Sequence, residues 1–176
     1  MSLIIGILLT ALFFSVFVAA LIIYERIRPK KIVYWDPASD SDDFDAGIAW
    51  WVLPDINRPA GEHFGEFIIS KILHEALFSL GIVHSLGKLS HDLRLDAYEE
   101  VVLIGQGVVA AAEILRKQAN SLSQPVYDWH CSEQIEPERI VYRMKVDAND
   151  VRRELLALAD FMSDAVSKNY AVELWL

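Results

Sequence analysis

The sequence predicts an α/β protein: a single N-terminal transmembrane helix followed by a small α/β domain, for which a Rossmann-like fold is one candidate topology. Three observations lead to this prediction. Residues 3–24 carry no charged side chain, and about 20 apolar residues suffice for a helix to cross a bilayer. Strand-like and helix-like patterns alternate beyond residue 62, as in α/β folds. Residues 105–110 form a glycine-rich turn between a predicted strand and a predicted helix.

Residues 1–24 are predicted to be a transmembrane anchor helix. A cleaved signal peptide is the competing interpretation, since Val18-Ala19-Ala20 resembles a small-residue cleavage site. No basic residue precedes the apolar run, and the run continues through Leu21, Ile22 and Ile23. Both features favour a retained anchor.

Residues 25–61 are predicted to be a juxtamembrane region that begins with a basic collar of Arg26, Arg28, Lys30 and Lys31. Basic residues that flank a span stay on the cytoplasmic side, so the C-terminal domain is expected in the cytoplasm. The same four side chains are expected to bind anionic lipid headgroups at the membrane surface. The alternative is that they only set the topology of the span.

The remainder of this region contains a short predicted strand, an acidic linker and an aromatic segment. The strand is Lys31–Trp35, and the linker contains Asp40, Asp42 and Asp45. Calcium binding by these aspartates is disfavoured, because their spacing misses the EF-hand pattern and its glutamate is missing. Ile48–Leu53 is aromatic and β-branched, and is either a buried strand or a tryptophan-rich contact with the bilayer interface.

Residues 62–176 are predicted to form the small acidic α/β domain. Apolar residues at steps of three and four predict a helix over residues 62–86. A final helix begins after Asp147 or Asn149, either of which can cap it, and its apolar stripe includes Val151, Leu155, Leu158, Met162 and Ala165. The other predicted elements are strands at 99–104, 126–129, 139–146 and 171–176 and a helix at 108–119.

The turn at residues 105–110 matches the Gly-x-Gly-x-x-Ala variant of the dinucleotide-binding fingerprint. In that interpretation Gly105 makes the tight turn, Gly107 admits a pyrophosphate and Ala110 allows helix and strand to approach. Asp128 stands 23 residues after Gly105, near the position where a carboxylate holds the ribose hydroxyls. NAD or another nucleotide is the implied cofactor. The alternative, which we favour, is close packing of a strand against a helix by small residues.

Composition and charge exclude several classes of function. Of 16 basic and 25 acidic residues, four basic and one acidic residue lie before residue 36, which leaves a net charge of −12 on the rest. Such a domain repels phosphodiester backbones, so nucleic-acid binding is not expected. Cys131 is the only cysteine, which excludes an intramolecular disulfide and multi-cysteine metal sites.

No catalytic or metal-binding set of residues is complete in the sequence. His74-Glu75 begins an H-E-x-x-H pattern, but Phe78 replaces the second histidine. His63, His74 and His84 are too far apart along one predicted helix to bind a single ion. His130 and Cys131 are neighbours in a predicted extended segment, where side chains point to opposite faces.

These observations predict a membrane-anchored accessory or tethering subunit of a larger membrane assembly. Its α/β domain would act through protein–protein contacts, and its partners would be membrane lipids and other subunits. The alternative is a membrane-tethered module that binds or senses a nucleotide through Gly105, Gly107, Ala110 and Asp128.

Overall fold

The computed structural model describes residues 13–24, 29–35, 47–54, 62–89, 100–134 and 139–176. The protein is mixed α/β, with two sheets and five helices in the described residues, so the α/β class predicted from the sequence is confirmed. Helix α1 covers residues 13–24. The other elements are β1 (Lys31–Trp35), β2 (Gly47–Val52), β3 (Gly65–Ile69), α2 (Lys71–Ser79), α3 (Ile82–Gly87), β4 (Glu100–Leu103), α4 (Gln106–Ser121), β5 (Val126–Gln134), β6 (Ile140–Asp147), α5 (Ala148–Ser167) and β7 (Ala171–Trp175).

The chain divides into two compact units. The first comprises residues 1–33 and 132–142, and the second comprises 34–131 and 143–176. In the first unit the Lys31 backbone N–H donates to the Arg139 carbonyl at 2.9 Å, and Arg139 forms an ion pair with Glu133. No helix among the described residues has both the length and the apolar character needed to cross a membrane. Residues 1–12 of the predicted anchor lie outside the described residues.

The second unit contains a four-stranded sheet in the order β3-β2-β7-β4. All its pairings are antiparallel: β2 with β3, β2 with β7 and β4 with β7. Strand β2 belongs to the segment that the sequence analysis placed ahead of the α/β domain, yet it lies in the middle of this sheet. Of the two interpretations offered for Ile48–Leu53, the structure shows the strand.

One face of the four-stranded sheet packs on helices. Trp51 of β2 stacks on Phe161 of α5 with ring centroids 5.1 Å apart, and its Nε1–H donates to the Phe161 carbonyl at 3.1 Å. Helix α5 begins as predicted, because the Asp147 carboxylate accepts the Asn149 backbone N–H at 2.7 Å and caps the first turn. The predicted stripe from Val151 to Ala165 is completely buried.

The predicted helix over residues 62–86 is wrong in its first turns. Residues Gly65–Ile69 form β3, and two helices, α2 and α3, follow. Ser70 starts α2 by accepting the Leu73 backbone N–H at 3.1 Å, and Gly81 ends the run with a positive φ of 68°, which glycine adopts without steric cost. Phe67 faces the helices, whereas its neighbours Glu66 and Ile68 are exposed on the other side of the strand. The apolar residues that suggested a helical spacing therefore follow the two-residue repeat of a strand.

The second sheet has three strands in the order β1-β6-β5. A Rossmann-like domain requires the strand before the glycine turn and the strand after its helix to be parallel members of one sheet. Strand β4 instead pairs antiparallel with β7, and β5 belongs to the other sheet. The predicted Rossmann-like topology is therefore wrong for the described strands, even though the local order of strand, turn and helix is correct.

Candidate functional site

The glycine turn at Gly105 joins β4 to α4 as predicted. Gly105 has φ 54° and ψ −116°, and no heavy atom lies within 4 Å of a Cβ built on it. A glycine is favoured at position 105 because of its backbone conformation, and not because another group approaches it closely. The Gly107 N–H donates to the Ile104 carbonyl at 3.0 Å and the Val108 N–H to the Gly105 carbonyl at 3.1 Å, so the turn itself uses these two amides.

Gly107 and Ala110 pack against protein. A Cβ on Gly107 would contact the Leu89 carbonyl oxygen at 3.7 Å, an ordinary van der Waals distance. Ala110 is half-buried between Val109 and the fully buried Ala111. The space beside Gly107 would therefore accommodate an alanine, and close packing does not by itself require a glycine at this position.

Asp128 lies in the outward-facing row of β5 and forms an ion pair there. Its Oδ1 accepts from Arg143 Nε at 2.7 Å, and its Oδ2 accepts from the Tyr34 hydroxyl at 3.2 Å. The Arg143 hydrogen bond lowers the pKa of Asp128, and Tyr34 and Lys145 act in the same direction. Because Asp128 and Gly105 are attached to different sheets, the described chain does not show the ribose carboxylate beside the glycine turn.

Cys131 and its neighbours do not form an activated nucleophile. Burial raises the pKa of the Cys131 thiol to about 11, and the Glu75 carboxylate contributes to the increase. A thiol needs a lowered pKa to react as a thiolate at neutral pH. Burial also raises the pKa of Glu75, against the opposing effect of His130, and lowers the pKa of His74.

The remaining predicted sites are only partly described. Lys30 and Lys31 of the basic collar are exposed, whereas Arg26 and Arg28 lie outside the described residues, as do the aspartates of the acidic linker. Across the described part of the chain, no group of three or more histidine, cysteine, aspartate or glutamate side chains is arranged to hold a metal ion.

A surface that the sequence analysis did not identify lies on the sheet face opposite the helices. Register places its residues together: Ile48 pairs with Ile68 and Trp175, and Trp50 pairs with Glu66 and Glu173. None of these side chains belongs to the hydrophobic core cluster. We call this surface the open face, and its residues are Ile48, Trp50, Glu66, Ile68, Glu173 and Trp175. Val52 and Ala171 lie on the same side of the sheet by alternation and are 0% exposed, so only part of this side is accessible.

The open face combines exposed apolar groups with carboxylates. Ile68 is 53% and Trp175 is 49% exposed, whereas Glu173 at the centre is only 5% exposed. Trp175 Nε1 donates to Glu173 Oε1 at 3.0 Å, and Trp50 Nε1 donates to Glu66 Oε2 at 3.4 Å. Glu173 is the one buried charged residue among the described residues, and the Trp175 indole is one of the groups that it contacts.

Aromatic contacts fix the geometry of the open face. The Trp50 ring stacks on His63 with centroids 4.3 Å apart and an interplanar angle of 7°. The Trp175 ring meets Trp50 edge-on at 5.8 Å. These rings give the face a preformed shape with few side-chain rotations left to restrict, and aromatic residues with this property are enriched at protein interfaces.

One sequence signal for the open face was present but too weak to use alone. Glu173 is the one charged residue of the apolar strand Ala171–Trp175, and it lies on the same side of that strand as Ala171 and Trp175. A carboxylate in such a row marks a second, distinct face of the strand. The pairing of this strand with β2, which assembles the surface, joins residues far apart in the sequence.

Comparison with known proteins identified no relative: the chain matches no protein-family model, and neither a protein of curated function nor a solved structure is similar to it.

Proposed function

We propose that this protein is a single-pass membrane-anchored accessory or tethering subunit that acts through protein contacts of its α/β domain. The observation that carries the proposal is the open face of the four-stranded sheet. Exposed apolar patches on a folded domain mark interaction sites, and this one has a central buried carboxylate and a preformed aromatic framework.

The membrane anchor in this proposal rests on the apolar N-terminal segment. In the described helix α1, the side chains of Phe13, Phe14, Phe17 and Ile23 are between 54% and 75% exposed. A helix that exposes apolar side chains on all sides is suited to a lipid environment. The basic collar, with Lys30 and Lys31 exposed, supports contact with anionic lipids and a cytoplasmic domain.

Two measurements on the full chain in its native membranes test the proposal. An alkaline carbonate wash should leave the protein in the membrane pellet, and its release into the supernatant would refute the anchor. A photoreactive p-benzoylphenylalanine at Ile68 on the open face should give a discrete cross-linked product of higher mass. The same residue at Glu113, an exposed position of α4, is the matched control.

The cross-linking result separates a specific interface from random contact. The product at Ile68 should be absent at Glu113, because Glu113 is an exposed residue of α4 that does not belong to the open face. Equal product patterns at both positions, or no product at either, would refute docking through the open face.

The nucleotide-binding alternative has less support. The strand–turn–helix at Gly105 is present, but the turn amides of Gly107 and Val108 bond to the protein and Asp128 pairs with Arg143. These existing contacts compete with nucleotide binding by the same groups. The change in Tm on addition of saturating NAD tests this alternative directly.

A further inference from the structure

Strand β3 forms one edge of the four-stranded sheet. Among the described residues it pairs with β2 alone, through a continuous antiparallel register from Gly65 to Ile69. In an edge strand, alternate residues direct their backbone N–H and C=O groups away from the neighbouring strand, and these groups can pair with another strand. The outer edge of β3 is therefore able to accept a further strand.

Strand β3 has few of the features by which edge strands avoid such pairing. It contains no proline or lysine, and its one-for-one register with β2 leaves no bulge within it. Its one charged side chain, Glu66, accepts a hydrogen bond from Trp50 Nε1 at 3.4 Å, which directs the carboxylate towards β2 and away from the edge. Ile68 is 53% exposed. Natural proteins usually block an apolar edge of this kind, so β3 is suited to a partner strand.

Twofold symmetry restricts how two copies of β3 can pair. In an antiparallel pair, directly opposite residues have backbone groups that both point at the partner strand or both point away, and this orientation alternates along each strand. The axis between two identical strands must therefore pass through a residue. An axis at Phe67 pairs all five residues of the strand and sets Glu66 opposite Ile68. An axis at Glu66 pairs only three of them and sets the two Glu66 carboxylates opposite each other, which is destabilising.

The register centred on Phe67 also brings compatible side chains together. On the helix side, the half-buried Phe67 ring lies 5.5 Å from the Phe161 ring and would meet the Phe67 ring of the second copy. On the other side, the exposed Ile68 would lie beside Glu66 of the second copy, with the two Ile68 side chains diagonal to each other. Aromatic pairs and other cross-strand contacts of these types stabilise sheets.

We propose that β3 of one chain pairs antiparallel with β3 of a second chain about a twofold axis at Phe67. Closed twofold dimers are the commonest protein assemblies. One pair of such short strands buries less than the roughly 1,000 Å² of a stable interface, so the dimer is weak. Its formation is favoured where anchored copies share a membrane and have a high effective concentration; this last point rests on the proposed anchor, whereas the pairing itself goes beyond the proposed function.

Cysteine pairs test this register in the full chain in its native membranes. Glu66→Cys and Ile68→Cys chains with different epitope tags are expressed together in a Cys131→Ser background and oxidised with copper phenanthroline. Opposite residues of antiparallel strands have Cα atoms about 4.5–5.5 Å apart, which a disulfide bridges, whereas diagonal residues are about 7–8 Å apart. We expect at least fivefold more disulfide-linked dimer from the two variants together than from either variant alone.

Glu113→Cys in the same background is the matched control for random collision. Glu113 is exposed on α4 and takes no part in the proposed pairing. Its yield of linked dimer should not exceed that of Glu66→Cys alone or Ile68→Cys alone.

Charge variants at Ile68 test the same register without a covalent bond. In the proposed dimer residue 68 lies opposite Glu66 of the second copy, so Ile68→Lys creates cross-strand ion pairs and Ile68→Glu creates repulsive ones. Sedimentation velocity in a neutral detergent should give dimerisation at least tenfold tighter for Ile68→Lys than for Ile68→Glu. In a Glu66→Lys background this order should reverse. Because Ile68 and Glu66 are exposed, these variants keep the test decisive even if a cysteine variant does not fold.

Equal dimer yields from the mixed cysteine pair and from Glu113→Cys would overturn the inference, as would more dimer from Ile68→Cys alone than from the mixed pair. Equal dimerisation of Ile68→Lys and Ile68→Glu would do the same. If the Ile68 photocross-link joins a different protein while the cysteine pair does not link, the proposed function stands and the self-pairing fails. If the cysteine pair links while the carbonate wash releases the protein, the self-pairing stands and the anchor fails.

Discussion

Replacing Gly65 by alanine should destabilise the domain, because the glycine lies directly beneath a tryptophan ring. A Cβ at Gly65 would come within 2.5 Å of Trp51 Cε3 and 2.6 Å of Cδ2. The ring cannot move freely, since it stacks on Phe161 at 5.1 Å and on Tyr170 at 6.0 Å and donates a hydrogen bond to the Phe161 carbonyl. Lys168 Nζ also lies 4.1 Å from the ring centroid.

The expected magnitude follows from the cost of overpacking. An extra methyl group in a well-packed site costs about 1–3 kcal/mol. In a protein of this size each kcal/mol corresponds to a fall in Tm of about 2–4 °C. Thermal unfolding of the full chain in neutral detergent, followed by near-ultraviolet circular dichroism, measures this shift and reports directly on the aromatic environment.

Gly107→Ala provides the matched control. It adds the same methyl group, but the new Cβ would meet only the Leu89 carbonyl at the ordinary distance of 3.7 Å. A helical Gly→Ala change is neutral or stabilises by up to about 1 kcal/mol. In a Trp51→Leu background the Gly65→Ala cost should fall below about 0.5 kcal/mol, because the clashing ring is gone. Similar Tm values for Gly65→Ala and Gly107→Ala would refute the register that places Gly65 against Trp51.

Four further outcomes are expected. Asp128→Asn should lower the Tm at pH 7, because the ionised carboxylate pairs with Arg143. The pKa of Asp128 is lowered in the folded state, so this stabilisation is fully present above pH 3.8 and is lost as the pH falls through the folded-state pKa. The Tm values of variant and parent should therefore converge in acid. Glu75→Gln should raise the Tm at pH 7, because burial raises the pKa of Glu75 and so penalises its ionised form. The increase in Tm should disappear below pH 4.5, where the carboxyl is protonated in both the folded and the unfolded state. An increase that does not depend on pH would show that burial of the charge is not its cause. Alkylation of Cys131 by iodoacetamide at pH 8 should be slow, because a pKa of about 11 leaves about one thiol in a thousand ionised. A rate equal to that of a free thiol would show that the Cys131 side chain is not shielded from solvent. Saturating NAD should leave the Tm unchanged, whereas a rise that Gly107→Val and Asp128→Ala abolish would establish the dinucleotide alternative.

Local signals in the sequence determined much of the secondary structure. The capped start of α5 at Asp147 and its buried stripe follow from a period of 3.6 residues and a side-chain acceptor. Strand β1 and the turn between β4 and α4 follow from β-branched runs and from a glycine that must adopt a positive φ. Each of these features depends on residues within one or two turns of chain, so no knowledge of distant segments was needed.

The same local signals misled where two periods overlapped, and they left open whether the glycine turn and Asp128 lie together. Phe64, Phe67 and Ile68 satisfy a helical spacing, yet Gly65–Ile69 is an edge strand whose alternation shows only beside β2. Asp128 has the spacing of a ribose carboxylate, yet its strand pairs in a different sheet and its charge is held by Arg143. A spacing along the chain specifies a distance only when the intervening elements have a known arrangement.

What the sequence by itself determined was therefore an apolar N-terminal segment, an acidic α/β chain and the identity of most of its elements. Only the tertiary structure decided which strands are neighbours, and through this the existence of the open face. Trp50 and Glu173 lie far apart in the sequence and meet because β7 enters the sheet between β2 and β4. Strand pairing is set by burial and register over the whole domain, and no local pattern encodes it.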